Sequence, residues 1–150
     1  MNKQEKSIKY FRNKFNCSQS VFTVFGTDYG LSEDDCLKIA CAFGGGMGRQ
    51  QFTCGAVTGA LMAIGLKYGK GLHDDEDKKV HTYAMTNEFF EEFINLHGAL
   101  NCRELLDDLD LTDPGDYNII KDRNLFENRC EKCVADAVAI TERLLGEDRV

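Results

Sequence analysis

Cys54 is the residue of this chain best placed for chemistry. It follows the glycine-rich run Gly44-Gly45-Gly46-Met47-Gly48 and opens the small-residue stretch Gly55-Ala56-Val57-Thr58-Gly59-Ala60. With Thr53 as N-cap, Cys54 falls in the first turn of a helix. Unpaired N–H groups and the positive end of the helix dipole meet there. A thiolate in that position is stabilised and the thiol pKa falls. Arg49 is a nearby cation in sequence. Alone, such a cysteine reads as a small buried hydrophobe at a tight helix crossing. The chain has seven cysteines in 150 residues, however, and that density shifts the balance toward metal binding or redox chemistry.

Cys102 has a similar setting. Asn101-x-x-Glu104 reads as a capping pair that puts Cys102 in the first turn of a short helix. Cys130-x-x-Cys133 places two thiols on one helix face, where they could pair. Val134 follows it, so this is not a haem attachment, and no strand precedes it as in a thioredoxin motif. The glycine run lacks the Gly-Lys-Ser/Thr ending of a phosphate loop. His73 and His81 lie in polar sequence, whereas His97 falls on an apolar stripe and is the best histidine to neighbour a cysteine site. Neither a serine-hydrolase nor a paired-carboxylate motif is present.

Helices must position these thiols. Residues 3–14 carry Ile8, Phe11 and Phe15 on one side. Asn16-Cys17-Ser18 breaks that helix or caps a second one bearing Val21, Val24 and Phe25. Ser32 followed by Glu33-Asp34-Asp35 starts a helix whose stripe holds Cys36, Leu37, Ala40 and Cys41, and which runs to Gly44. The Cys54 helix stops near Gly69 or Gly71, and its Gly55, Gly59 and Ala63 form a smooth face for close packing. Residues 69–79 form a polar loop grading into a helix that runs from about Lys79 to His97, with Gly98 as its C-cap. Asp113-Pro114 starts a further turn of helix. A last stripe runs from Cys130 to Leu145 and stops at Gly146. No segment alternates like a strand. The expectation is an all-α fold of six to eight helices in one domain spanning 1–150.

The net charge of −7 and pI of about 4.9 argue against nucleic acid or an anionic membrane as the main partner. No apolar run reaches the ~20 residues of a membrane span, and the polar first residues do not read as a secretory signal. The expectation is a cytoplasmic location.

Several blocks together carry a resemblance. They are Asn16-Cys17-Ser18-Gln19-Ser20-Val21, Phe43-Gly44-Gly45-Gly46-Met47-Gly48, Thr53-Cys54-Gly55-Ala56-Val57-Thr58-Gly59-Ala60, Asn101-Cys102-Arg103-Glu104-Leu105-Leu106, and Cys130 ahead of Val134. From about residue 5 to about 145 the chain resembles the C_GCAxxG_C_C family of redox-active proteins. The resemblance implies a small helical protein with a redox role and matches Cys17, Cys54, Cys102 and Cys130 to the family's cysteines. Cys36, Cys41 and Cys133 look additional, with Cys133 either an ornament or a second partner for Cys130.

Three readings follow. The first is a thiol-dependent redox or electron-transfer protein, with Cys54 the most activated thiol, Cys17, Cys102 or Cys130 its partner, and an unknown redox partner protein. The second is a centre of zinc or an iron–sulfur cluster on Cys17, Cys54, Cys102 and Cys130. The third is a helical interaction module with packing cysteines, dimerising through the Gly55/Gly59 face.

Overall fold

The computed structural model describes residues 1–146. Among them the chain is all-α, with eight helices and no β-sheet. These are α1 (Lys3–Arg12), α2 (Cys17–Gly26), α3 (Glu33–Ala40), α4 (Gly55–Tyr68), α5 (Glu76–His97), α6 (Cys102–Leu105), α7 (Pro114–Asp122) and α8 (Glu131–Gly146). A turn of π-helix, Phe126–Cys130, leads into α8. The stop expected at Gly146 depends on residues outside those described.

The starts follow local chemistry. Asn16 accepts from the Gln19 N–H while the Gln19 side chain accepts from the Asn16 N–H, and this reciprocal cap sets Cys17 as the first residue of α2. Ser32 accepts from Asp35 N at the head of α3. Asp113 accepts from Asp116 N, with Pro114 in the first turn of α7. Helix α5 begins at Glu76, three residues before the expected Lys79, because Asp75 and the acids Glu76 and Asp77 suit its positive end. It ends at Gly98, whose φ of +83° lets its N–H return to Ile94 O.

Helix α2 is buried from Ser18 to Gly26 and lies against α1, α3, α4 and α8. Its tightest neighbour is α4. A Cβ on Gly59 would stand 2.8 Å from Ser18 O, and one on Gly55 would stand 2.9 Å from Ser18 N. The smooth Gly55/Gly59 face is therefore occupied by α2 of the same chain, and the dimer contact expected there is corrected.

Two apolar clusters result. The larger joins α2, α4, α5 and α8 through Phe25, Val57, Ile64, Phe93 and Val134. The smaller joins Cys102, Leu106, Leu111, Ile120 and Leu125, from α6 through α7 to the start of the π-turn. Cys54 and Cys133 belong to the larger cluster and Cys102 to the smaller, so the cysteines lie along the seam between them.

Candidate functional site

The segment between α3 and α4 has an unusual backbone. Gly45, Gly46, Met47, Gly48 and Arg49 all have φ between +59° and +68°, a turn of left-handed conformation. Met47 and Arg49 each carry a side chain there at a cost of about 1–2 kcal/mol. The turn is fastened by Gly48 N to Ala42 O and Phe52 N to Gly46 O, both 3.0 Å. Gln51, buried and also at positive φ, donates from Nε2 to Leu109 O and accepts from Leu111 N, each at 2.8 Å. These bonds join the glycine loop to the smaller cluster.

Beyond Gln51 the chain runs antiparallel to residues 100–103. Cys54 N donates to Leu100 O at 2.8 Å, Cys102 N to Phe52 O at 2.7 Å, and Thr53 and Asn101 form an isolated bridge. This short pairing brings Cys54 beside Cys102. Cys54 is itself the N-cap of α4 rather than its first helical residue, a shift of one from the expected Thr53 cap. Its sulfur stands where a serine or threonine oxygen would cap, facing Ala56 and Val57 N–H without the geometry of a regular capping bond.

Six of the seven cysteines, Cys17, Cys41, Cys54, Cys102, Cys130 and Cys133, line one cavity of about 400 Å³. Its wall is completed by Leu105, Leu106, Leu111, Phe126, the glycine loop, Arg49 and Arg129. Cys54, Cys102 and Cys133 are buried, Cys17 and Cys130 half-buried, and Cys41 is exposed. The seventh, Cys36, is fully buried behind Gly26, and burial beside Asp35 raises its pKa. The four cysteines singled out in the sequence thus share one cavity, and the structure adds Cys133 and Cys41 to them.

The thiols are paired. Cys133 donates to Cys54, and that bond lowers the Cys54 pKa. Burial opposes the fall, and the Ala56 and Val57 N–H groups reinforce it. The same bond, together with burial and the charge on Cys54, pushes the Cys133 thiol far up. Cys17 is the donor in a second pair with Cys130, and that bond, burial and the neighbouring cysteines raise its pKa. Burial pushes Cys102 up to about 12, only partly offset by Arg103. Its place at the start of α6 therefore does not activate it as expected, since one turn of helix and an uncapped Asn101 oppose a large burial cost.

Other expectations are corrected here. Cys41 is not on a buried mid-helix stripe, because α3 ends at Ala40 and a 3₁₀ turn, Cys41–Phe43, turns it outward. His97 does not line the thiol cavity; it lies 2.9 Å from Asp136 and against the Phe93 ring, between α5 and α8. Cys133 was legible only through its CxxC spacing, and its partner is Cys54 rather than Cys130. The π-turn explains this, since Glu131 N reaches back to Phe126 O and Cys130 leaves the regular register of α8. For a metal, among the described residues no three His, Cys, Asp or Glu side chains are arranged to hold one ion. Cys17, Cys54, Cys102 and Cys130 share the cavity wall without forming such a group.

The family model of C_GCAxxG_C_C, "Putative redox-active protein", matches residues 15–144. The chain belongs to this family. It is also similar to an uncharacterized protein of Archaeoglobus fulgidus, 26% identical over 153 residues, covering 97% of this chain and 95% of the relative. No solved structure matches. The family match covers both hydrogen-bonded cysteine pairs and the glycine loop. Among the described residues no helix is long and apolar enough to cross a membrane.

Proposed function

We propose that this C_GCAxxG_C_C protein is a dithiol–disulfide redox protein in which Cys54 is the attacking thiolate and Cys133 the resolving thiol. One observation carries the reading: the Cys133 S–H is donated to Cys54, whose pKa is lowered while that of Cys133 is raised. The pair is thereby divided into a nucleophile and a proton-bearing partner.

The Cys54 thiolate attacks one sulfur of a substrate disulfide, the S–S bond breaks, and one substrate thiolate leaves. Cys54 is then neutral in a mixed disulfide. The negative charge that held the proton on Cys133 has gone, so Cys133 ionises more readily at this stage. Its thiolate attacks Cys54 Sγ and expels the second substrate thiolate. Two electrons pass from the cysteine pair to the substrate, and protons leave with the two substrate thiols.

The test is one turnover of reduced protein with the neutral dithiodiethanol, followed by peptide mapping without reductant. A Cys54–Cys133 link is expected, and Cys133→Ser should trap dithiodiethanol's half on Cys54. Seven surviving thiols, a first-formed Cys17–Cys130 link, or stoichiometric metal on the cysteines of protein purified without oxygen would each overturn the assignment.

A further inference from the structure

The cavity has a charge that the protein as a whole does not. The chain carries 25 Asp and Glu against 18 Lys and Arg, yet among the described residues none of the cavity wall is acidic. Its fixed charges are Arg49 and Arg129. Arg129 is engaged: Nη1 donates to Leu105 O at 3.2 Å and to Asp107 Oδ1 at 2.8 Å, and its charge also acts on Cys130 and Cys133.

Arg49 differs. Among the described residues its guanidinium has no carboxylate partner and no hydrogen bond, and it is not among the groups acting on any of the shifted thiols. Arg49 is exposed and lines the wall, with its backbone at positive φ and its Cγ so near Gly45 that a Cβ there would lie 2.8 Å away. A second observation lies alongside. Gly45 and Gly46 line the same wall, and among the described residues neither N–H has an acceptor in the protein. Gly46 is buried, and a buried N–H without an acceptor is rare.

A free guanidinium fork and two unused N–H donors at the wall of a thiol-lined cavity form a recognition set for a carboxylate. The cavity volume suits a small molecule rather than a protein surface. Resting on the redox reading above, we infer that the substrate is a small disulfide bearing a carboxylate, whose anionic end is held by Arg49 with Gly45 and Gly46 N–H while its sulfur meets Cys54. The long-range field of a protein of net charge −7 repels such a substrate, so a preference for it must arise within the cavity.

The probes are dithiodipropionate and neutral dithiodiethanol as disulfides, and adipate as a sulfur-free dianion of similar length. The measured quantities are the single-turnover rate of Cys54 oxidation with each disulfide and the protection of Cys54 by adipate against iodoacetamide. Wild-type protein is expected to react at least about tenfold faster with dithiodipropionate than with dithiodiethanol, in proportion to one charge-assisted contact. Arg49→Gln should bring that ratio to about one and abolish adipate protection, and Arg49→Lys should retain part of both. A thermal melt of each variant confirms folding.

A wild-type ratio near one, or a ratio and adipate protection unmoved by Arg49→Gln, overturns the inference while the redox reading stands. If neither disulfide oxidises Cys54 but adipate protects it in an Arg49-dependent way, the redox reading falls and the anion site stands.

Discussion

Cys133 donates its S–H to Cys54 across the interface of α8 with the head of α4. Each residue changes what the other can do. The contact lowers the Cys54 pKa and raises that of Cys133, so the proton is favoured on Cys133 and the charge on Cys54.

Removing the donor should therefore slow Cys54 at neutral pH. In a Cys41→Ser background, which removes the exposed thiol, Cys133→Ala should shift the pH midpoint of Cys54 alkylation upward by about one pH unit or more, the worth of one hydrogen bond to a charged group. Cys133→Ser retains an O–H donor and should keep the midpoint near its original value. Peptide mass spectrometry after timed labelling reads both. An unchanged midpoint in Cys133→Ala would assign the lowering to Ala56 and Val57 N–H.

Alkali should weaken the reduced fold. Cys17, Cys36, Cys102 and Cys133 have folded pKa values raised above that of a free thiol, Cys102 to about 12. Above ~8.5 the unfolded chain loses these protons while the native state retains them. Their contribution is complete below that pH and is lost as pH rises toward the folded value, by up to about 1.4 kcal/mol per pH unit for each group. Cys54 has the opposite sign, since its contribution is present at high pH and lost as pH falls through its lowered value. Four raised thiols outweigh one lowered thiol, so the urea midpoint should decline between about pH 9 and 11, less steeply in Cys102→Ala.

Two glycines of the left-handed turn should respond differently to alanine. A Cβ on Gly46 would lie 2.7 Å from Gln51 Cα and Phe52 N, whereas one on Gly48 meets nothing within 4 Å. Both have positive φ, so both lose about 1–2 kcal/mol to backbone strain. Gly46→Ala adds a backbone clash and should lose a further ~1–3 kcal/mol. Thermal melts of the pair separate the two costs, and equal losses would show that the turn shifts freely.

Gln51 should prove a structural clamp. Gln51→Ala removes its two 2.8 Å bonds and leaves Leu111 N–H and Leu109 O without them, at a cost of about 2–4 kcal/mol. Gln51→Glu keeps the acceptor for Leu111 but sets a buried carboxylate against Leu109 O, so its loss at neutral pH should be at least as large and should shrink as the pH falls. Urea titration at neutral pH orders the three proteins.

The helices were largely legible because their signals are local. Ser32 before three acids, Asp113 before Pro114, and Gly98 after His97 each act within one turn of chain; the first two start a helix and the third ends one, as read. The thiol pairing was not legible, because it depends on contacts between distant segments. Nothing near Cys133 states that α8 will cross the head of α4, and the CxxC spacing pointed to Cys130 instead. The π-turn that redirects Cys130 has no Gly or Pro to announce it. Met47, Arg49 and Gln51 are residue types that usually avoid positive φ, so the left-handed turn was hidden except for its glycines. Cys102 misled for an energetic reason, since a helix start predicts a low pKa only while burial is mild.

Cys17 opens the second helix and Cys130 stands at the threshold of the last, yet their sulfurs share a hydrogen bond. An oxidant that joined them would turn about three quarters of the chain into a covalent ring, and joining Cys54 to Cys133 would close a smaller ring interleaved with it. Cross-links enclosing loops of this length restrict the unfolded chain by between about 4 and 5 kcal/mol in the chain-entropy account. A protease cut in the exposed connection ahead of α5 would then leave two pieces that migrate as one until reductant is added. Resistance to denaturant and the behaviour of nicked protein on a gel would thus act as a gauge of the electrons stored at the seam.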